Sequence, residues 1–246
     1  RDIIPKIRPD RQVTLWSATW PKEVQRLSRD LLGRDFIQVT IGSTELSANK
    51  KIHQVIDVCE ESQKEEKLAA LLLKLWEESP EPEATRKMMR TIIFSNKKRI
   101  CEDLCWKLTR DQWPCVALHG DKSQFERDRA LLDFKRGDCP ILVCTDVAAR
   151  GLDVKDVQVV INFDFPIQCE DYVHRIGRTG RAGNKGLAFS LCAPREAPRI
   201  VAIEAYQKIS VKWDDISALP VPVVASLKPL MVTLCIEGGR KDKVRP

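Results

Sequence analysis

Long hydrophobic runs are missing from this sequence of 246 residues, of which 43% are hydrophobic and 31% charged. No uncharged apolar stretch reaches the roughly 18 residues of a membrane span, so no transmembrane helix is expected. The first residues, Arg1 to Ile4, include neither Met nor a charged-then-apolar signal pattern. They indicate an intracellular protein and a sequence that is part of a longer gene product. The hydrophobic share excludes a disordered tail, a collagen and a disulfide-rich miniprotein.

Metal-binding spacing is missing as well. The nine cysteines contain no Cys-x-x-Cys pair, and the two nearest, Cys101 and Cys105, are four residues apart. The three histidines show no metal-ligand spacing with each other or with the cysteines. We interpret the cysteines as small buried hydrophobes of a reducing compartment, and predict no metal site.

The charge balance is mildly basic, with 41 Lys and Arg against 35 Asp and Glu, a net charge of +6. This balance permits an anionic partner such as nucleic acid, but a solvated basic surface without a partner explains it equally well. The basic residues are dispersed, so no nuclear import cluster is evident.

The first fifty residues differ from the rest. Val13 to Trp16 predicts a short strand, and the stretch from Pro21 to Leu32 predicts a helix with proline at its first position, ended by Gly33. Residues 42–51 are small and polar and predict a linker. Residues 77–90, rich in Pro, Glu, Lys and Arg, predict an exposed surface loop.

From residue 52 onward, short apolar strands alternate with amphipathic helices, which predicts an α/β fold with a doubly wound parallel sheet. In such sheets ligands bind beyond the carboxyl ends of the strands. The predicted strands are 52–58, 91–94, 116–118, 141–144, 157–161 and 187–192, and the predicted helices are 64–76, 97–110, 123–135, 147–149, 169–176 and 196–207.

Polar residues follow four of these strands. Residues 145–153 crowd two aspartates and an arginine into one strand-to-helix turn, which favours a functional role. Asn162 to Asp164 is interpreted as an ordinary polar loop. The densest feature is the stretch 172–183, in which three arginines at a spacing of three alternate with glycines. Glycines allow close backbone approach and arginines bind phosphate in a bidentate way, so this stretch predicts a polyphosphate site, with a basic surface turn as the alternative.

These stretches resemble, in order and spacing, the motifs of the DEAD-box RNA helicases of superfamily 2. The resemblance runs from residue 1 to about residue 193, and Trp16 to Val24 resembles the eukaryotic branch that acts on ribosomal and messenger RNA precursors. The matching motifs are Ser17–Thr19 (motif III), Ile92–Asn96 (motif IV), Gln124–Arg127 (the Gln-x-x-Arg element), Thr145–Asp153 (motif V) and His174–Arg181 (motif VI).

The resemblance implies two RecA-like lobes that bind ATP and RNA in the cleft between them. Here it implies a remnant of lobe one at residues 1–41, the interlobe linker at 42–51 and a complete second RecA-like lobe at 52–217. Residues 218–246 match nothing in the family, and we expect a disordered tail there. The family also favours the nucleus or nucleolus over the cytoplasm.

The resemblance further implies roles for individual residues. Arg178 and Arg181 are the expected arginine fingers, and His174 is expected to couple motif VI to Ser17 and Thr19. The expected ATP-binding residues are Gly151, Asp153, Arg178 and Arg181. The expected RNA-backbone residues are Asn96, Gly120, Lys122, Gln124, Arg127, Thr145, Asp146 and Arg150.

Ordinary structural roles remain alternatives for some of these residues. Gln124 and Arg127 are equally compatible with surface pairing along a helix. Asp146 is also a good helix N-cap, and His119 is compatible with a plain strand-end histidine.

Three family motifs are missing: the phosphate-binding Gly-x-x-x-x-Gly-Lys-Ser/Thr, the Asp-Glu-Ala-Asp run and the adenine-reading Gln motif. The ligands for Mg²⁺ are therefore expected in an upstream lobe. We predict the C-terminal part of an ATP-dependent RNA helicase that binds RNA backbone without sequence specificity and, as given, neither hydrolyses ATP nor unwinds RNA. The alternatives are a truncated, non-catalytic RNA- or partner-binding module and a DNA helicase of the same superfamily.

Overall fold

The structure is a computed structural model that describes residues 3–17, 20–41, 49, 51–77, 88–149, 154 and 156–207. The chain divides into two compact units, residues 1–47 and 48–246. Some predicted features lie outside the described residues: Thr19, most of the linker, the loop at 78–87, Arg150, Gly151, Asp153 and the tail from residue 208.

The described part of the first unit contains one α-helix, α1 (Lys22–Leu32), which ends at Gly33 with a φ of +88°. Pro21 is the N-cap of α1 and not its first residue, a shift of one position from the prediction. The predicted strand from Val13 to Trp16 is wrong, because no described strand pairs with it, and Trp16 is 90% exposed. A single strand without neighbours cannot satisfy its backbone groups in a sheet.

The second unit contains a six-stranded sheet whose pairings are all parallel, in the order β1-β6-β5-β2-β4-β3. This topology confirms the predicted doubly wound parallel sheet. The strands are β1 (Ile52–Val58), β2 (Thr91–Phe94), β3 (Cys115–Leu118), β4 (Ile141–Cys144), β5 (Val159–Asn162) and β6 (Gly186–Cys192). The helices are α2 (Lys64–Glu77), α3 (Lys98–Arg110), α4 (Gln124–Arg136), α5 (Asp146–Ala149), α6 (Cys169–Ile176) and α7 (Ala197–Gln207).

The central strands are buried on both faces because helices cover both sides of the sheet. Every residue of β2, β4 and β5 is buried. Ile93 belongs to a core cluster that includes residues of α2 and α3, whereas Ile92 and Phe94 belong to a second cluster that includes Phe134 of α4. Alternate side chains of one strand therefore enter opposite layers, as the strand's period of two requires.

The helix boundaries follow from capping. Lys97 and Ser123 are N-caps, so the helices predicted to begin at these residues begin one position later. Ser123 and Glu126 form a reciprocal capping box at the start of α4, and Gly137 ends that helix with a φ of +86°. No helix in the described part of the chain has the length and apolar character needed to cross a membrane.

The loop predicted over residues 77–90 is described only at its ends. Glu77 is still helical, because α2 extends to it. Met88 is 9% exposed and belongs to the core cluster beneath α2 and α3. The prediction of an exposed loop is therefore wrong at Met88, because this side chain completes the packing at the entry to β2.

Candidate functional site

The carboxyl ends of the strands bring the predicted polar residues to one edge of the sheet. Residues 95–96 follow β2, 119–122 follow β3, 145–146 follow β4 and 162–164 end or follow β5. Helix α6 lies over this edge, because Arg175 in its last turn reaches the ends of β2, β4 and β5. The edge thus collects motifs IV, V and VI, which lie far apart in the sequence.

Arg175 is the centre of this edge and is 2% exposed. Its Nε and Nη2 donate to the two carboxylate oxygens of Asp146, both at 2.6 Å. Its Nη2 also donates to Asn96 Oδ1 at 2.6 Å, and its Nη1 donates to the Asp164 carbonyl at 2.8 Å and to Asn162 Oδ1 at 3.3 Å. These five bonds match the five N–H groups of a guanidinium. We call these five residues the Arg175 cluster.

A second layer of hydrogen bonds fixes the acceptors of the Arg175 cluster. Asp164 Oδ2 accepts from the Ser95 hydroxyl at 2.7 Å and from the Asn96 backbone N–H at 2.9 Å. Asn162 Nδ2 donates to Ser190 Oγ at 2.9 Å, and Asn96 Nδ2 donates to the Phe165 carbonyl at 3.2 Å. Three of the four residues that receive Arg175, namely Asn96, Asn162 and Asp164, are thus held by further hydrogen bonds as well.

The surroundings of the Arg175 guanidinium give its positive charge a structural role. The Arg175 guanidinium lies over the Phe94 ring, 5.2 Å from its centroid. A buried ion pair is costly to break, because removing one partner leaves the other charge buried without compensation, at about 3–5 kcal/mol. The Arg175 cluster therefore ties three strand ends to α6 and fixes where α6 ends.

The sequence did not predict this cluster. The interpretation of Asn162 to Asp164 as an ordinary polar loop is wrong, because Asn162 is completely buried and Asn162 and Asp164 both bind Arg175. The available signal was an asparagine at the end of a fully apolar strand, since a buried polar side chain needs a partner. Asp146 is the first residue of α5 and binds Arg175 with both carboxylate oxygens, so the N-cap alternative is wrong.

Arg178 and Arg181 lie beyond the end of α6 and are partly buried. Arg178 Nε donates to the His174 carbonyl at 3.3 Å, and Arg181 Nε donates to the Gly177 carbonyl at 3.2 Å. Burial lowers the pKa of Arg178, and the positive charge of Arg181 lowers it further. An anion placed against Arg178 would stabilise its charged form.

A shallow cleft lies beside Arg178. His174, one of the predicted coupling residues, lines it together with residues of the Arg175 cluster. Ser17 belongs to the first unit and Thr19 lies outside the described residues, so their coupling to His174 stays a prediction. The lining residues are Phe94, Asp146, Ala149, Asp171, His174, Arg175 and Arg178.

The glycines of motif VI serve the fold at one clear position. Gly180 has a φ of +67°, and a Cβ there would lie 2.7 Å from Cγ1 of Ile52 on β1. Its carbonyl accepts a hydrogen bond from Asn49 Nδ2 at 2.7 Å, and the neighbouring Thr179 hydroxyl donates to the Val157 carbonyl at 2.7 Å. At Gly180 the close approach predicted toward a phosphate is therefore an approach to β1.

The 119–127 segment, which runs from the end of β3 into the first turn of α4, is more open. Lys122 Nζ and His119 Nε2 both lie 2.6 Å from Glu102 Oε1. Burial opposes ionisation of Glu102, but the hydrogen bonds from Lys122 and His119 outweigh it and lower its pKa. The hydrogen bond to Glu102 raises the pKa of Lys122. His119 is buried, whereas Gly120 is exposed.

The start of α4 contains both residues of the Gln-x-x-Arg element. Gln124 Nε2 donates to Asp128 Oδ1 at 2.8 Å, and its Oε1 accepts from Arg127 Nη1 at 3.4 Å. The surface pairing left open for Gln124 and Arg127 is therefore present. Among the described residues, Arg127 Nε is the one buried side-chain polar atom without a hydrogen-bond partner. A charged donor left in this state is unfavourable, which marks Arg127 as incompletely satisfied.

The remaining predicted RNA residue in the described chain is Thr145, which is buried at the end of β4. Its backbone N–H donates to the Leu118 carbonyl at 3.3 Å, and its carbonyl accepts from the Ala149 N–H at 3.0 Å. The described residues contain no group of three or more His, Cys, Asp or Glu side chains placed to hold a metal ion.

Comparisons with known proteins agree with this geometry. The family described as the helicase conserved C-terminal domain matches residues 63–183. The E. coli DEAD-box protein SrmB, solved with the regulator of ribonuclease activity A, is 34% identical with a TM-score of 0.55, over 64% of this chain and 87% of that chain. The chain belongs to the DEAD-box family. It contains the helicase C-terminal domain of that family, and its sheet has the RecA-like fold.

Two further relatives extend the comparison. The mouse protein named probable ATP-dependent RNA helicase DDX17 is 50% identical over 217 residues, which are 86% of this chain and 32% of the relative. The structure of S. cerevisiae Dbp5 bound to RNA and ADP BeF3 is 28% identical with a TM-score of 0.72, over 93% of this chain and 57% of that chain. The DEAD-box chain described here spans about a third of the length of the curated relatives that it matches.

Proposed function

We propose that this chain is the C-terminal part of an ATP-dependent RNA helicase that binds RNA backbone without sequence specificity and, with ATP hydrolysis, remodels or locally unwinds RNA duplexes. The observation that carries the proposal is the pair of partly buried arginines, Arg178 and Arg181, that directly follow α6, the helix whose Arg175 binds residues at the carboxyl ends of β2, β4 and β5. The names of the relatives support it, since the mouse relative is named for ATP-dependent RNA helicase activity and the yeast structure for RNA and a nucleotide.

On the nucleotide side, we assign Arg178 and Arg181 to the terminal phosphate of ATP. Two fixed guanidinium groups stabilise charge that develops during phosphoryl transfer, and such arginines contribute about 10³–10⁵ in rate. The pKa of Arg178, which burial and Arg181 lower, indicates that an anion at this position relieves an existing repulsion. Gly151 and Asp153 complete the proposed nucleotide site, with Asp153 accepting a hydrogen bond from the ribose.

On the RNA side, Gly120, Lys122, Gln124 and Arg127 line the proposed path of the backbone. Phosphate and 2′-hydroxyl contacts carry no base code, so the proposed binding is independent of sequence. Arg127 Nη1 makes only a long hydrogen bond of 3.4 Å to Gln124 Oε1, which a phosphate replaces in the proposed complex.

The four other residues predicted to bind RNA fall into two pairs. Thr145 and Arg150 remain proposed RNA contacts of motif V. The side chains of Asn96 and Asp146 already bind Arg175, and we propose that they shape the RNA path and do not bind RNA through these atoms.

The proposed domain organisation follows the sequence boundaries, with a lobe-one remnant at 1–41, a linker at 42–51 and lobe two at 52–217. Ser17 and Thr19 of motif III are the proposed partners of His174 when ATP closes the two lobes. ATP is the substrate. Mg²⁺, when bound, neutralises phosphate charge, but the described residues do not form a carboxylate group suited to hold it, so no step here depends on it.

RNA binding by this chain tests the RNA half of the proposal. We would measure the Kd of a labelled single-stranded RNA by fluorescence anisotropy, with DNA of the same sequence as a competitor. Arg127→Ala is expected to weaken RNA binding by about fivefold to tenfold, the effect of one lost charge-assisted contact. Arg129→Ala is the matched control, because Arg129 lies on the same helix and pairs with Asp133 at 3.4 Å.

The RNA-binding outcomes separate the alternatives. Equal loss in Arg127→Ala and Arg129→Ala would contradict a specific role for the 119–127 segment. Preference for DNA over RNA would favour a DNA helicase of the same superfamily.

The nucleotide half needs a complete lobe one. We would place the N-terminal lobe of the mouse relative before this chain and measure RNA-stimulated ATP hydrolysis. Loss of at least about 10³-fold on Arg181→Ala, with little change on Arg199→Ala, is expected for an arginine finger. The chain alone is expected to show no ATP hydrolysis. Absence of hydrolysis in the restored protein as well would favour the non-catalytic RNA-binding module.

A further inference from the structure

Cys105 and Cys115 are the closest pair of thiols in the described chain. Their Sγ atoms lie 3.2 Å apart, and Cys115 Sγ lies 3.2 Å from the Cys105 carbonyl oxygen and 3.4 Å from Thr109 Oγ1. Cys105 is in the middle of α3, and Cys115 is the first residue of β3. A disulfide requires a sulfur–sulfur distance of about 2.05 Å, so a movement of about 1.2 Å would join them.

The other cysteines of the core do not share this arrangement. Cys101, one helical turn before Cys105, is completely buried, and burial raises the pKa of its thiol to about 12. Burial likewise raises the pKa of Cys59 to about 11 and of Cys192 to about 12. Because the thiolate is the reactive form of cysteine, these buried thiols are inert.

The Cys105–Cys115 pair is placed for reaction instead. β3 is the last strand at one edge of the sheet, and both cysteines are only partly buried there. The hydrogen bond from the Cys105 thiol lowers the pKa of Cys115, and the same bond raises the pKa of Cys105. The pair thus contains one sulfur that ionises first and a second sulfur in contact with it, as an attacking and a resolving thiol require.

We propose that Cys105 and Cys115 form a redox-active dithiol that hydrogen peroxide converts into an intramolecular disulfide. The Cys115 thiolate attacks one peroxide oxygen, the O–O bond breaks and hydroxide leaves, which gives a sulfenic acid on Cys115. The Cys105 thiol loses its proton to this hydroxide, which gives the first water. The Cys105 sulfur then attacks the Cys115 sulfur, the S–O bond breaks, and the departing hydroxide takes up the proton that Cys115 released when it ionised, which gives the second water. The two thiols lose two electrons and the peroxide gains them, with two water molecules as products.

The predicted disulfide fixes the middle of α3 to the start of β3. It closes a short loop through residues 106–114, which contains the turn after α3 and Thr109. A dithiol reductant reverses the reaction by thiol–disulfide exchange. The site is therefore a reversible modification site that does not depend on the proposed RNA or ATP chemistry.

Peptide mapping of the whole chain tests this proposal. The folded chain would be treated with an equimolar amount of hydrogen peroxide, blocked with N-ethylmaleimide and digested with trypsin without reduction. Cleavage after Lys and Arg places Cys105 in peptide 100–107 and Cys115 in peptide 111–122. We expect these two peptides to be joined by a bond that fragmentation assigns to Cys105 and not to Cys101.

Rates and variants make the test specific. The joined peptide is expected to form at least about tenfold faster than oxidation of Cys169, which is partly buried on α6 and whose pKa burial raises. Cys105→Ser and Cys115→Ser should each abolish the joined peptide, whereas the matched control Cys139→Ser should leave it unchanged. Circular dichroism before and after oxidation should show the same fold.

Three outcomes would overturn the proposal. One is oxidation of Cys139 or Cys169 while peptides 100–107 and 111–122 stay separate. The second is a bond from Cys115 to Cys101. The third is a joined peptide that forms only in denaturant, which would place the reaction in the unfolded chain.

Discussion

The sheet edge of this chain has two halves that use charge in opposite ways. In the Arg175 cluster, all five guanidinium N–H groups have acceptors and the arginine is 2% exposed. In the 119–127 segment, Gln124 and Gly120 are exposed, and Arg127 retains a buried Nε without a partner in the described chain. The central arginine of the first half has all its hydrogen-bond partners, whereas the arginine of the second half does not.

The difference separates residues that build the site from residues that face a ligand. A buried charge with complete hydrogen bonding fixes geometry, because any movement loses several strong bonds at once. A partly exposed charge with few bonds, such as the Lys122 ammonium, can exchange its partner for a phosphate at low cost. Motif VI shows both uses within a few residues, since Arg175 belongs to the cluster while Arg178 and Arg181 lie beyond the end of α6.

Removing the central arginine should produce the largest effect. Arg175→Ala leaves the buried Asn162 and the partly buried Asp146, whose side chain is 27% exposed, without their partner, so we expect it to lower the free energy of unfolding by about 3 kcal/mol. Arg181→Ala, which removes a partly buried arginine with a bond to the Gly177 carbonyl, should cost less than about 1 kcal/mol. Urea unfolding at neutral pH measures both, and similar losses would erase the distinction between the two arginines.

Gly180 of motif VI and Gly183, two residues beyond the motif, should sharpen the comparison. Gly180→Ala combines a φ of +67° with a contact of 2.7 Å to Ile52, so we expect a loss of about 2–4 kcal/mol. Gly183 has a φ of +85°, but a Cβ there would lie 3.8 Å from Lys51 Nζ, an ordinary contact, so Gly183→Ala should cost about 1–2 kcal/mol. Thermal and urea unfolding of both variants check this order, which a larger loss at Gly183 would contradict.

A substitution in the 119–127 segment should change RNA affinity and leave the stability of the fold nearly unchanged. Lys122→Ala is expected to weaken binding of single-stranded RNA by about threefold to tenfold and to reduce the slope of log Kd against log salt by about one. Its stability should change by less than about 1 kcal/mol, because Lys122 pairs with a half-exposed Glu102. Anisotropy titrations over a range of salt concentrations measure the slope, and an unchanged slope would remove Lys122 from the RNA path.

The smallest expected effect concerns pH. The folded pKa of Glu102 is lowered, so its contribution is present above the unfolded pKa of about 4.3 and is lost as pH falls through the folded pKa. The Glu102 side chain is 46% exposed, so the contribution should stay below about 1 kcal/mol. Urea midpoints from pH 7 to pH 3 should show the wild type converging with Glu102→Gln, whereas divergence at low pH would reverse the assigned sign.

The sequence was sufficient to predict most of the sheet. Continuous apolar runs such as Ile141 to Cys144 indicate strands buried on both faces, and the six predicted strands of the second unit are present within two residues of their predicted ends. The prediction was wrong for Val13 to Trp16 because a strand exists only with a neighbour, which a local pattern does not contain. It was wrong for Met88 because packing at the entry to β2 depends on α2 and α3.

The site was harder to predict than the fold. The three arginines of motif VI look equivalent in sequence, but α6 ends at Ile176, so only Arg175 lies on the helix and reaches into the sheet edge. The acceptors of Arg175 come from two loops, the start of α5 and the end of β5, up to 79 residues away, and no spacing rule connects them. The contact between Cys105 and Cys115 likewise depends on how α3 packs on β3.

Hydrogen–deuterium exchange of the chain with and without single-stranded RNA is the most direct test of the two-halves account. Backbone amides of residues 119–127 should gain protection when RNA binds. Amides of residues 162–164 should not change, because the Arg175 cluster already holds them. Protection gained at 162–164 without a change at 119–127 would contradict the division of this edge into a framework and a ligand-facing half.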